Sequence, residues 1–492
     1  MTTLDVTKWS KRNVWRTPDG QLCVRPGLRR LATPTSAKWV GGFSVQNPWT
    51  LEVWHYIAEV DSDDTDLRVL VLDEDFVEWQ RIAMGVDGVP RGFSFGIVEG
   101  EIVIGAIGMP TLWGFVGGHL QFATKVDSDN PGTTSINVPR GIVAAVCNRI
   151  VIADGATIYI SDPVAITGGS PRTFVGQNQN QRPGVVFGLH EGAGDSLVAV
   201  TSAGVYALDS SAFAVQIVGS NGTPWRMVNS HQAHSYDSSA SVRGRVYGLT
   251  RRGYSLIDTD SDAEVLLGDA LQPRRYGIRQ ASPDWRSARL YAGEDGPIIA
   301  DGDLCHMTDV AFGLGSWWGC DVASTFRVRG ALVDPDGATM LLCEDGVYAI
   351  GGNVDGTQLL SGEAATQPRA VLAGVIPGDP EDNPTIRRLV FSAALGGVGT
   401  IEVAVRGQVT TAFPSSTPAA DTRALVVGTS SWGDTAIYEP VPLASVRFDT
   451  NYNTDDVAIE ATANLPATRL GPLLNVDVSA SAPKRSPNRG AP

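Results

Sequence analysis

The sequence predicts an almost all-β protein, a β-propeller of about six blades followed by a small antiparallel β-sandwich. Three observations predict it. Apolar residues rarely recur with the 3.6-residue period of a capped helix, whereas short alternating runs bounded by Gly, Asp, Asn or Pro fill the chain. A hairpin with a tyrosine in its second strand returns about every 44 to 50 residues, the period of a four-stranded blade. The 55 glycines and 29 prolines are spread throughout the 492 residues, as punctuation of many short strands must be.

Taken in order, residues 1–60 read as a basic N-terminal docking segment with the first strands. Its first 40 residues carry eight basic side chains against Asp5 and Asp19, in a chain of net charge −15. Within it, Arg25, Pro26, Gly27, Arg29 and Arg30 are the candidate docking residues. Pro fixes φ and Gly permits a tight reversal, so the segment is built to turn at a defined place. Deleting residues 1–30 is therefore expected to leave a folded propeller that no longer docks.

The propeller is expected over residues 61–355. Its clearest runs begin at Leu67, Glu101, Arg149, Ser196, Arg245, Arg289 and Thr339, and the recurring hairpin carries Tyr159, Tyr206, Tyr254 and Tyr348. A Gly/Pro/Asp-rich stretch marks a linker over 356–385. About six short strands over 386–480 then suggest the sandwich, among them Arg388–Phe391, Ala424–Val427 and Asn475–Val478. Residues 481–492, with Lys484, Arg485 and Arg489, read as a disordered basic tail.

Composition excludes several function classes. The acidic balance is wrong for a broad nucleic-acid coat. No apolar run approaches the roughly 20 residues of a membrane-spanning helix. The first 15 residues lack an apolar signal core, and five unpatterned cysteines suit a reducing compartment, so assembly in a cytoplasm is expected.

Local chemical signals weigh toward the bland reading. His231-x-x-His234 with Asp237 lacks the Cys pair or His-Glu-x-x-His helix of a zinc site, so a polar loop is expected. Cys305-His306 with Cys320 reads as a core thiol beside an exposed histidine. Asp61, Asp63, Asp64 and Asp66 lack the Gly and terminal Glu of a calcium loop and read as an acidic hairpin tip, as does the run Asp258, Asp260, Asp262. Trp225, Trp317 and Trp318 suit core or interface roles. With no nucleophile elbow or phosphate loop, no catalytic residue, metal or cofactor is expected, although a carboxylate pair defined in space stays open.

Two segments carry a resemblance. Gly20, Leu22, Arg25, Pro26 and Gly27 form a "Gly, apolar, Arg-Pro-Gly" stretch. Cys147-Asn-Arg through Tyr159, Ser161 and Pro163, then Phe174, forms an "Asn-Arg-strand, Tyr-x-Ser-x-Pro, Phe" blade. Together they resemble tail nozzle and tail tubular proteins of short-tailed bacteriophages. The resemblance implies a non-enzymatic virion component, located in the tail and arranged with copies of itself in a ring, hexameric by analogy. That ring would form the conduit for DNA ejection. It also implies adaptor or other tail proteins as partners, tail fibres as further candidates, and only transient passage of DNA. Two rival classes remain: a polysaccharide-binding or depolymerase propeller, and a monomeric interaction scaffold.

Overall fold

The computed structural model describes residues 2–3, 10–16, 22–35, 37–123, 138–161, 174–181, 184–209, 225–230, 232–250, 253–258, 263–266, 287–294, 296–302, 304–309, 314–319, 327–351, 370–376, 385–394, 400–406, 410–412, 443–453, 457–464, 472–473 and 479–480. Among the described residues there is no α-helix, and a 3-10 turn at Ala193–Asp195 interrupts a succession of strands. The all-β propeller is what the alternating runs predict.

Seven four-stranded antiparallel blades can be traced among the described residues. Their first strands, in chain order, are Ala37–Gln46, Arg91–Val98, Ile142–Val146, Val186–Glu191, Ser239–Val242, Arg289–Ala292 and Val328–Val333. Each lies beside the next around a common axis, and the seventh runs parallel to the first with Gly330 opposite Gly42. That pairing closes the ring. It requires glycine, because a Cβ at Gly330 would lie 2.6 Å from the Gly42 carbonyl oxygen.

Blade count and boundaries differ from the sequence expectation. There are seven blades rather than about six, and the propeller begins at Leu28 rather than residue 61. The seventh blade takes its first three strands from Val328–Val333, Thr339–Cys343 and Gly346–Ile350, and its fourth from Leu28–Ala32, with Leu28 opposite Ile350 and Ala32 opposite Val347. A strand from far upstream covers what would otherwise be an open sheet edge. Residues 1–30 thus include most of a blade strand, so their deletion cannot leave the propeller whole.

The repeated tyrosines mark one structural position. Tyr159, Tyr206, Tyr254 and Tyr348 each lie in the third strand of a blade. The blades are buried on both faces, which is why strands such as Arg149–Asp154 and Leu197–Thr201 are nearly continuous runs of Ile, Val and Ala.

The second unit is built from both chain ends. Ser10–Arg12 pairs with Ala370–Ile376, which continues through Val457–Asn464 and Thr400–Arg406 to Thr410–Ala412. The hairpin Val14–Arg16 and Leu22–Val24 receives Pro472–Leu473, Thr2–Thr3 meets Ser479–Ala480, and Thr385–Ala394 pairs with Leu443–Asn453. The strand Ala370–Ile376 falls inside the expected 356–385 linker. Its Ala-Val-Leu-Ala-Gly-Val-Ile sequence supplies the β-branched residues that a strand prefers. Ser10–Arg12 also lies parallel to Leu314–Gly319, the outer strand of blade 6, so one sheet runs from that blade into the second unit. The expected strands at 424–427 and 475–478 and the basic tail lie outside the described residues.

Candidate functional site

The first strands all run the same way, so their C-terminal ends define one face of the propeller and their N-terminal ends the other. Between them runs an axial cavity of about 950 Å³, lined by all seven first strands. An eight-residue strand such as Arg91–Val98 spans about 26 Å, so this volume, which is the space open to the centres of water molecules, corresponds to a bore about 10 Å across. A duplex whose two grooves are each about 8 Å deep is far too wide for it.

At the C-terminal face of blades 2, 3 and 5 the first and second strands are joined by two-residue turns. Glu99-Gly100, Cys147-Asn148 and Arg243-Gly244 each have both residues at positive φ, the type I′ geometry that matches strand twist. The same turn explains the Cys147-Asn-Arg segment. Asn148 supplies a left-handed position, and buried Arg149 reaches across the blade so that its NH1 donates to the Ser161 carbonyl at 2.8 Å. Ser161 Oγ in turn accepts the Ile150 amide at 2.9 Å. The Asn, Arg and Ser of that segment therefore hold a blade together.

Within the cavity wall, His190 Nε2 lies 2.7 Å from Ser239 Oγ across blades 4 and 5. Burial lowers the His190 pKa to about 4, so the ring is neutral near pH 7. Gly188 makes room for the pair, since a Cβ there would lie 2.1 Å from Ser239 Oγ. A glycine inside the alternating run Val186–Glu191 was the available sequence signal of this close approach. Near the opposite mouth, burial raises the pKa of Asp237, while Arg289, the Gly92 amide and Arg329 oppose the shift. Tyr291 is raised as well, first by burial and then by Asp237. Arg329 is already committed to Glu344 through Nε at 2.8 Å and through NH2, and Arg289 NH1 donates to Ser235 Oγ at 3.0 Å. The cavity can hold a small polar molecule between a neutral imidazole and a shielded carboxylate.

The five candidate docking residues divide. Arg25 is buried, its Nε donating to Asn13 Oδ1 at 2.9 Å and its NH1 to the Pro26 carbonyl at 2.7 Å, so it turns inward. Gly27 is buried, and its carbonyl accepts the Gly351 amide. Pro26 lies half-buried at the same turn. Arg30 pairs with Asp345 at 3.5 Å, while Arg29 points to solvent from the closing strand.

Other candidates also resolve. Cys305 and His306 are both buried, correcting the expectation of an exposed histidine; the third strand of blade 6 is covered on both faces. Asp61, Asp63, Asp64 and Asp66 form the tip between two strands of blade 1, with Arg68 3.0 Å from Asp61 and Lys38 3.2 Å from Asp64. Among the described residues no three His, Cys, Asp or Glu side chains are grouped to hold a metal. His231, Cys320, Asp260, Asp262 and the Trp317 and Trp318 side chains lie outside the described residues. Trp225 packs at the edge of the core shared by blades 3 and 4.

No protein-family model and no curated protein matches the sequence. Among solved structures the chain is similar to YCF48 bound to D1 peptide, at 14% identity over 69% of this chain and 100% of that one, with a TM-score of 0.39. It is similar to PorZ, a surface component of the type-IX secretion system of Porphyromonas gingivalis, at 12% identity, 70% coverage and a TM-score of 0.37, and spans only 43% of PorZ. BamB from Moraxella catarrhalis matches at 11% identity over 70% of this chain and 96% of that one, with a TM-score of 0.35. Likeness at this level carries no argument about activity or partners.

Proposed function

We propose that the protein is a non-enzymatic structural subunit of a phage tail nozzle, assembled with copies of itself around a conduit for the genome. One observation carries the reading. The nozzle-like segment Arg25-Pro26-Gly27 forms the joint between the strands shared by the two chain ends and the strand that closes the propeller. A subunit that must keep two units in fixed relation around a channel needs a rigid joint, and buried Arg25 ties this one to Asn13 and Pro26. The narrow axial bore means that any DNA conduit lies between copies, outside the propeller axis. A net charge of −15 suits such a wall, because repulsion of phosphate avoids the counterion-release affinity that would retain DNA. Arg29, exposed on the closing strand, is the candidate docking residue left available to a neighbouring tail protein.

Negative-stain imaging of the purified full chain, with sedimentation across a concentration range, tests this reading. Open-centred rings, and recovery of the chain in tail-bearing particles, are expected. A monomer at every concentration that never enters particles overturns it. Release of reducing ends from bacterial polysaccharide, abolished by one carboxylate substitution, overturns the non-enzymatic part.

A further inference from the structure

Among the described residues nine large apolar side chains are exposed, and five of them, including all of the five most exposed except Met227, share one face. Trp49, Leu51, Val77, Trp79 and Phe115, exposed by 65, 66, 60, 52 and 42%, all sit on the C-terminal face of blades 1 and 2. They come from three neighbouring connections and the strand Glu78–Ala83 that follows one of them, and the structure ties these to a fourth connection at 99–100. Asn47 is the hub: its Oδ1 accepts the Trp49 and Thr50 amides, and its Nδ2 donates to the Val116 carbonyl at 2.9 Å. Trp49 lies on Gly100, where a Cβ would be 2.0 Å from the indole. Trp79 packs edge-on to Trp54 at 6.0 Å and stacks on His119 at 5.5 Å. Gln80 fixes the same strand to the next blade by donating to the Leu120 carbonyl and accepting its amide. The aromatic faces are thus presented by a rigid frame, so little conformational entropy remains to be lost on binding.

Charge selects the occupant. The four connections, residues 47–52, 73–78, 99–100 and 115–120, contain Glu52, Asp73, Glu74, Asp75, Glu78 and Glu99 and no Lys or Arg. Arg81, two residues beyond Trp79 on the same strand, is held by Glu78 at 2.7 Å and by Glu59 at 3.1 Å. Acidic groups around exposed indoles attract cations to the ring faces, where Arg or Lys gains a cation–π contact. We propose that this face docks a basic, apolar-anchored peptide segment of a partner protein, with Trp49 and Trp79 as the anchors. The proposal does not rest on the nozzle reading, since the surface is complete within one copy.

The test is fluorescence anisotropy of the full chain with a short fluorescein-labelled Arg-Leu repeat peptide, and with Glu-Leu and Arg-Ser repeats as controls. The Arg-Leu peptide should bind in preference to both controls, with an affinity that falls as salt rises. W49A/W79A keeps every charge and should weaken binding at least about tenfold. V77D adds negative charge but removes an apolar contact, and should also weaken it. E74Q/D75N/E99Q should weaken binding and flatten its salt dependence. Equal binding to wild type and W49A/W79A overturns the proposal, as does preference for Arg-Ser or no binding at all. Concentration-dependent dimerisation of the wild type that W49A/W79A abolishes assigns the face to a second copy instead and equally overturns it.

Discussion

Truncating Leu28 tests the closing strand directly. Its side chain is wholly buried in a core that blades 6 and 7 share, among Ile298, Cys305, Val328, Leu341 and Tyr348. Leu28→Ala removes three carbon atoms from a site walled by two sheets that cannot both collapse onto the gap, so the cost is about 2–5 kcal/mol. In a cooperative unit of this size that lowers the unfolding midpoint by about 3–7 °C. The neighbouring Arg29 faces solvent on the same strand, so Arg29→Ala should stay within about 0.5 kcal/mol. Thermal unfolding followed by near-ultraviolet circular dichroism compares the two, and urea unfolding supplies an independent midpoint. Equal midpoints for the two variants would refute the assignment of Leu28–Ala32 to the seventh blade. Paired truncations add a second reading: a chain beginning at residue 25 retains the strand, whereas one beginning at residue 33 leaves the edge Gly346–Ile350 open and should aggregate.

Gly330→Ala should cost about 1–3 kcal/mol, because its Cβ would press on the Gly42 carbonyl where the first and seventh blades meet; an unchanged urea midpoint would contradict ring closure at that point. Arg149→Met should destabilise by about 1–3 kcal/mol through loss of its bond to the Ser161 carbonyl, with the loss read from urea unfolding. For His190, the folded pKa of about 4 lies below the ordinary histidine value of 6.5, so the unfolded chain binds more protons between these values. Stability from this group is therefore complete above about pH 6.5 and lost as pH falls toward 4, by up to about 3 kcal/mol. His190→Gln should reduce the acid-induced loss relative to wild type. His55, also lowered to about 4 by burial, keeps part of that loss in the variant, and identical acid profiles would refute the neutral buried His190.

The sequence by itself determined what repeats locally. Alternating Val, Ile and Leu runs specify strands because side chains alternate across the pleat, and the Asp-Gly and Tyr hairpins specify a blade because each hairpin is closed by its own neighbours. The four repeated tyrosines duly fall on equivalent third strands. Legibility failed where partners are far apart in the chain. Leu28–Ala32 looks like any short basic strand until Gly346–Ile350 is beside it, and Arg25 reads as a surface cation until Asn13 meets it in the interior. The His190–Ser239 pair left only Gly188 as its trace, while the five exposed apolar residues are scattered over 67 positions of sequence and become one surface only when blades 1 and 2 pack. Tertiary structure alone decided the seventh blade, the joint and the aromatic face. Each depends on contacts whose loop-closure cost is met by the finished ring rather than by any local run of residues.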